Sequence, residues 1–222
     1  MKRVLFVTGS DTGVGKTVVT ALLTRQLRAQ GRRVAALKPL CSGGREDAVA
    51  LHAELGGALS LDEINPWHFR APLAPALAAR KERRRVLPAA VLAHVRQAGV
   101  CFDVVLVEGA GGLLSPLGVG FNARDLIAAL RATPIVVCPN RLGAVNQALL
   151  VLAALPPAAA RRAHVVLVTP LHPDASVRSN AALLTEHIGR ERVHRLPWLR
   201  GPAQEATARR AVAALLRRLQ AG

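Results

Sequence analysis

The chain has no tyrosine, two tryptophans, four phenylalanines and one methionine in 222 residues. So few rings argue against a surface that holds single-stranded nucleic acid by stacking bases on aromatic side chains. Three cysteines, Cys41, Cys101 and Cys138, are too few and too far apart for a disulfide framework or a zinc site, so reduced thiols are expected. The seven histidines (His52, His68, His94, His164, His172, His187 and His194) show no metal-ligand spacing and read as surface or structural. No apolar stretch approaches the roughly 20 uninterrupted residues of a membrane span. The N-terminus leads straight into strand-like sequence without the cleavage region of a signal peptide, so a cytoplasmic protein is expected.

Acidic residues are also scarce, 14 against 30 lysines and arginines, for a formal net charge of +16. A clustered excess of this kind would point to a polyanion. Here arginine recurs on nearly every helix-like stretch, with one dense run at Arg80-Lys81-Glu82-Arg83-Arg84-Arg85. Solvated helix faces account for most of it, and neither nucleic acid nor membrane is expected as a partner. The excess still favours approach of small anions.

Hydrophobic residues make up 51% of the chain, enough for a full core, and one domain spanning residues 1–222 is expected. Apolar runs at Val4–Val7, Val34–Leu37, Val104–Val107, Ile135–Cys138 and Val165–Val168 are nearly continuous rather than alternating, the pattern of strands buried on both faces. Helical stretches separate them at Val18–Gln30, Asp47–Leu55, Leu87–Gln97, Ala123–Leu130, Ala144–Leu155 and Ser176–Ile188. This alternation predicts a doubly wound α/β fold, a mostly parallel sheet with helices on both faces, and the glycine-rich loop Gly9 to Thr17 makes it P-loop NTPase-like. The three prolines and basic run of Pro66 to Arg85 read as an excursion between helices, outside any sheet, and as a candidate lid or substrate loop. Val212, Leu215, Leu216 and Leu219 share one helical face and are expected to pack on the domain.

Between the first strand and first helix lies Gly9-Ser10-Asp11-Thr12-Gly13-Val14-Gly15-Lys16-Thr17. A glycine-rich loop in that position turns backbone N–H groups onto phosphate. Lys16 adds a point charge and Thr17 a hydroxyl suited to Mg²⁺. A nucleoside triphosphate is therefore the first ligand to expect. The loop departs from strict G-x-x-x-x-G-K-T spacing, since Ser10 stands where glycine would be. Partitioning ATPases that bind DNA or membranes carry a signature lysine where this chain has Asp11.

Two further strand ends carry chemistry. Strand Val34–Leu37 is followed by Lys38, which is expected to face the same crevice as Lys16, because α/β sheets place ligands at the carboxyl ends of their strands. Two lysines on phosphate suit phosphoryl transfer, which is mainly a matter of positioning and charge stabilisation. Strand Phe102–Val107 delivers Glu108, followed by Gly109-Ala110-Gly111-Gly112, an arrangement similar to a Walker B acid. Thr17, Glu108 and a further acid, Asp47 or its neighbour Glu46, could supply the oxygen ligands that Mg²⁺ demands.

Taken in order, these motifs resemble dethiobiotin synthetase nearly end to end. The resemblance rests on Gly9 to Thr17, Lys38-Pro39 with Ser42-Gly43, the Asp47 helix, Glu108 to Gly112 with Leu113 to Leu117 after it, Leu142-Gly143 with Asn146, and Pro197-Trp198-Leu199. It implies that a diamino carboxylic acid, 7,8-diaminononanoate, reacts with CO₂ to a carbamate. ATP phosphorylates that carbamate, and the second amine closes a cyclic urea. It further implies Lys16 and Lys38 as catalytic residues, Thr12 and Ser42 as carbamate contacts, and Gly143 and Asn146 as contacts of the substrate carboxylate near a homodimer interface. The nucleotide would touch Gly13, Val14, Gly15, Lys16, Thr17, Val18, Asp47, Glu108, Gly109, Ala110, Gly111, Pro197, Trp198 and Leu199. Thr17, Asp47 and Glu108 would hold Mg²⁺. Cys41 reads as a small filler, because the nucleophiles belong to the substrate.

Three places differ from the usual pattern of that family. Val168-Thr169-Pro170 offers no asparagine to read the adenine, Ala76 stands where histidine is common, and Arg200-Gly201-Pro202 lacks the acid often found near the ribose. A nucleotide preference broader than usual is expected. A related amide-forming ligase on another substrate, and a P-loop ATPase acting on DNA or membrane, are the competing readings.

Overall fold

The computed structural model describes residues 3–199 and 201–221; Arg200, one of the three residues noted at the ribose position, lies outside them. In chain order the elements are β1 (Arg3–Gly9), α1 (Lys16–Ala29), β2 (Val34–Leu37), β3 (Leu40–Ser42), α2 (Glu46–Leu55), α3 (Leu61–Ile64), β4 (Trp67–Phe69), α4 (Pro75–Lys81) and α5 (Pro88–Cys101). Then follow β5 (Val104–Glu108), α6 (Ala123–Leu130), β6 (Thr133–Pro139), α7 (Ala144–Ala154), α8 (Pro157–Arg162), β7 (His164–Val168), α9 (Asn180–Ile188), β8 (Val193–Leu196) and α10 (Pro202–Ala221). Six strands form one sheet in the order β2-β5-β1-β6-β7-β8, and every pairing in it is parallel.

Alternate residues of each strand feed opposite faces, which explains why the strand sequences are continuously apolar. From β1, Phe6 packs with α5, α6, α7 and α8 residues such as Val91, Ile127, Leu152 and Ala159. Leu5 and Val7 pack on the other face with Leu23 of α1, Leu51 of α2 and Leu215 of α10. Val212, Leu215, Leu216 and Leu219 are all buried there, as their helical spacing predicts.

The chain leaves β1 through α1 toward β2, while β6 lies on the opposite side of β1. Such a reversal opens a crevice at the carboxyl ends of the strands, where helices diverge to either side.

Two expectations need correction. The segment Pro66 to Arg85 is not free of sheet structure. Trp67–Phe69 pairs in parallel with Leu40–Ser42 in a separate two-stranded sheet, and Pro75–Lys81 is helical with proline in its first turn. Proline at that position costs no hydrogen bond, so the Pro-rich sequence starts a helix instead of breaking one. The stretch Ser176–Ile188 divides into a 3₁₀ turn, Ala175–Arg178, and α9, because Asp174 caps the turn by accepting from the Ser176 N–H. The edge strand β8 was not anticipated. Its sequence Val-His-Arg-Leu is only partly buried and lacks an apolar run.

At that edge His164 Nδ1 lies 3.1 Å from His194 Nε2. Burial, reinforced by Arg192 and Arg3 and opposed by Glu191, lowers the His164 pKa from 6.5 to about 4. Burial, His164 and Arg218 lower that of His194 from 6.5 to about 4. With folded values below the unfolded one, the unfolded chain takes up protons first as pH falls. Stability attributable to this pair is therefore complete above about pH 6.5 and falls as pH drops from about 6.5 toward 4, the two rings titrating as a coupled pair. Urea unfolding at a series of pH values should show this slope, and His194→Gln should flatten it. An unchanged slope in the variant would assign the acid sensitivity elsewhere.

Candidate functional site

The loop between β1 and α1 is shaped by contacts that only small residues allow. A Cβ on Gly9 would lie 2.7 Å from Val14 Cγ2, and Gly15, the N-cap of α1, takes φ +96°, a left-handed conformation that glycine reaches without strain. No side chain caps α1 and no acid sits in its first turn, so the N–H groups at this end are open to an anion. The loop is tied down by Ser10 N–H to Val137 O at 3.0 Å and by Leu113 N–H to Gly9 O at 3.2 Å. Lys16 Nζ curls back to donate to Asp11 O at 2.7 Å. Burial and the nearby Lys38 ammonium lower the Lys16 pKa to about 8, against the pull of Glu108, Asp47 and Asp11.

Sheet register sets the second half of the site. Leu37 of β2 pairs with Val107 of β5, so the next residues, Lys38 and Glu108, emerge side by side. Lys38 Nζ donates to Glu108 Oε1 at 2.6 Å, to Asp47 Oδ2 at 2.7 Å and to Gly109 O at 3.2 Å. Burial alone would lower the Lys38 pKa, but the Glu108 and Asp47 carboxylates outweigh it and raise it. For Asp47, burial is likewise outweighed, by Lys38 and Thr17, and its pKa is lowered. Thr17 Oγ1 lies 2.7 Å from Asp47 Oδ1 and 2.8 Å from Glu108 Oε1. A hydroxyl has one proton, so it donates to one of these at a time. Between Glu46 and Asp47 the structure is unambiguous: Asp47 faces this cluster.

These residues open on a cavity of about 700 Å³ lined also by Thr12, Gly13, Gly15, Val18, Cys41, Ser42, Ala110 and Gly111, and by the wall Pro72 to Pro75. Cys41 is buried, its thiol raised chiefly by burial, which suits a filler and not a nucleophile. Beside it, sharing Gly13, Gly15 and Val18, is a second cavity of about 240 Å³. It is walled by Val14, Pro139, Val168, Thr169, Pro170, Pro197, Trp198 and Leu199. Among the described residues its side-chain polar groups are the Thr169 hydroxyl and the Trp198 indole N–H.

Gly109 touches the cluster through its carbonyl. Gly143 and Asn146 line neither cavity; both are exposed at the start of α7. Ser115, which the motifs did not single out, lines the larger cavity, as does the Pro72 to Pro75 wall. Asn140 was also missed: it is buried and accepts from Asn180 Nδ2 at 2.9 Å. A lone asparagine after a strand carries no pattern that would have found it.

A family model described as "AAA domain" matches residues 3–206. ATP-dependent dethiobiotin synthetase of Anaeromyxobacter sp. (strain Fw109-5) is 42% identical over 91% of this chain and 93% of its own length. That of Anaeromyxobacter dehalogenans (strain 2CP-C) is 43% identical over 93% of this chain and 95% of its own. Among solved structures, the MinC:MinD cell division protein complex of Aquifex aeolicus superposes with a TM-score of 0.62 at 16% identity, covering 99% of this chain and 96% of that one. At that identity the superposition speaks for a shared fold and for nothing about activity. The sequence matches, spanning nearly the whole of both chains, show that this chain belongs to the ATP-dependent dethiobiotin synthetase family.

Proposed function

We propose that the chain closes a cyclic urea on 7,8-diaminononanoate with CO₂ and ATP, giving dethiobiotin, ADP and phosphate. The observation that carries this is the placing of Lys16, Lys38, Thr17, Asp47 and Glu108 at one end of a cavity that also holds Thr12 and Ser42. Phosphate chemistry and a polar substrate space are contiguous, in a chain of this family.

The triphosphate lies along the open N–H groups of α1, with Gly13, Val14, Gly15, Lys16, Thr17 and Val18 around it. Its base enters the second cavity against Pro197, Trp198 and Leu199, and Asp47, Glu108, Gly109, Ala110 and Gly111 flank the outer phosphates. Lys16 and Lys38 are the catalytic residues. Their ammonium groups oppose the negative charge carried by the phosphoryl group as it passes to the carbamate oxygen. Thr12 and Ser42 hold the carbamate, and no protein nucleophile takes part.

Thr17, Asp47 and Glu108 form an all-oxygen donor set, and Glu108 Oε2 is buried without a hydrogen-bond partner. Among the described residues no group of three or more His, Cys, Asp or Glu gathers. The Thr17, Asp47 and Glu108 oxygens fit Mg²⁺, which takes one or two carboxylates and completes its shell with phosphate and water. When bound, it would neutralise charge on the outer phosphates.

Residues 1–222 act as one domain in this reading, and two copies pair so that Gly143 and Asn146 meet the substrate carboxylate. The strongly exposed Leu142 and Leu150, 79% and 62% accessible beside those residues, support such a pairing. No helix among the described residues is long and apolar enough to cross a membrane, which supports a cytoplasmic place.

Incubating the protein with diaminononanoate, ATP, Mg²⁺ and bicarbonate should yield dethiobiotin by mass spectrometry. ATP binding without that product would move the assignment to a related ligase. Lys38→Ala should lower kcat by about 100-fold or more while raising the ATP Kd by less than about tenfold, since its charge is assigned to the transferring group. Equal losses in both would remove that role. Because no amide or charged side chain lines the second cavity among the described residues, ATP and GTP should support turnover within about tenfold of each other, one missing hydrogen-bond reader costing only modest discrimination. Strict preference for ATP would show that the base sits elsewhere.

A further inference from the structure

We propose that Ser115 is a further substrate-binding residue, donating its hydroxyl proton to an anionic oxygen of the carbamate and its phosphorylated anhydride, while Ser42 in the same cavity only accepts. This rests on the ligase reading above and names the polarity of its substrate space.

A serine hydroxyl has one proton to give and lone pairs to receive, so its role follows from what the protein already uses. Ser42 Oγ donates to Leu73 O at 2.5 Å. That proton is committed, and toward the cavity Ser42 offers lone pairs, which match an N–H of the substrate. Ser115 is the reverse. Its Oγ accepts from the Gly112 N–H at 2.9 Å and, among the described residues, has no other partner. One of its two lone pairs is engaged and its proton is free. Accepting an N–H also polarises the O–H, and such a donor is worth most against a charged acceptor.

The position is held as firmly as the chemistry requires. Ser115 N–H donates back to Gly112 O at 3.2 Å, closing a two-bond turn. Gly112 in turn packs on the phosphate loop, where a Cβ would lie 3.3 Å from Ser10 O. A Cβ on Gly111 would lie 2.4 Å from Ser115 Oγ and 3.7 Å from Thr12 Oγ1, so the two hydroxyls flank the same bare backbone. An oxyanion passing over Gly111 would meet both, with Lys16 and Lys38 lining the same space.

The test separates this role from bracing of the turn. In the full-length protein with Mg²⁺ and saturating ATP, S115A should lower kcat/KM for diaminononanoate about 10- to 100-fold, as loss of a hydrogen bond to a charged group does, while S115T stays within about threefold of wild type. The ATP Kd, by calorimetry, should be unchanged. Loss of ATP affinity in parallel, or no loss of kcat/KM, would overturn the assignment. A second arm needs no turnover of the diamine: carbamoyl phosphate, which carries the same carbamic-phosphoric linkage, is titrated against the ADP-loaded protein. It should bind at least about tenfold more weakly to S115A at equal ADP affinity. Equal binding to both, or none to wild type, would overturn it. Binding to wild type without dethiobiotin formation would instead refute the ligase reading and leave Ser115 to be judged by this arm. If S115A does not fold, S115C, a small side chain with only a weak donor, is read in the same way.

Discussion

The site depends on one buried ammonium. Lys38 is 3% exposed and Glu108 1%, and neither would be tolerated there alone. Removing one partner of such a pair costs about 3–5 kcal/mol by stranding the other. Parallel register makes the pair: Leu37 lies opposite Val107, so the residue that leaves each strand end meets the other. A slip of one residue would separate the two charges, and because β2 is apolar and buried on both faces, its hydrophobic pattern alone would not forbid it. Asp47 and Thr17 are then drawn in from α2 and α1, which pack against one another. The two lysines and two carboxylates roughly cancel, so a triphosphate brings its own negative charge to a place already near neutrality. Among the described residues, the open N–H groups at the start of α1 and the buried Glu108 Oε2 are the polar groups that this network leaves without a partner.

Much of this was legible in the residues because the structure expresses it through short-range rules. Doubly buried strands show as unbroken apolar runs, and all five such runs are strands. Glycine before a lysine and a threonine announces a loop closing on phosphate. Lys38 and Glu108 could be placed because a strand's end is visible even when its partner is not. What escaped depends on distant partners. β8 is held to the sheet by backbone pairing with β7, and its own Val-His-Arg-Leu carries no periodic signal. β3 and β4 are three residues each, too short for a pattern, and their pairing hides in a proline-rich stretch. Ser115 is one hydroxyl in a loop, and its meaning lies in which of its hydrogen bonds the backbone has already claimed.

The excess of positive charge takes on a narrower meaning beside the fold. Several arginines are engaged in holding structure: Arg45 reaches Asn65 and Asp62, Arg84 covers the Phe69 ring at 4.7 Å and donates to His68 O, and Arg192 donates to Ala163 O. Guanidinium suits such bracing because it presents several donors on a flat, weakly hydrated plate. A net charge of +16 therefore overstates the cationic surface open to a polyanion.

The second cavity and the start of α7 are joined by a fixed brace. Pro139 closes β6 and walls the cavity, and the next residue, Asn140, donates its N–H to Val168 O at 2.7 Å and accepts from Asn180. Asn180 also donates to Arg141 O at 3.0 Å, and Asp174 accepts the Leu142 N–H at 2.9 Å. The turn leading to Gly143 is thus fastened to the segment that continues from Thr169 and Pro170, the opposite wall of the same cavity. Buried amides paired with each other satisfy their polar groups and set a spacing that apolar packing alone leaves loose. The walls of the second cavity and the α7 entrance are therefore fastened by one set of hydrogen bonds. Apart from Thr169 and the Trp198 indole N–H, the described walls of that cavity are apolar, so these hydrogen bonds set a width that packing alone would leave loose.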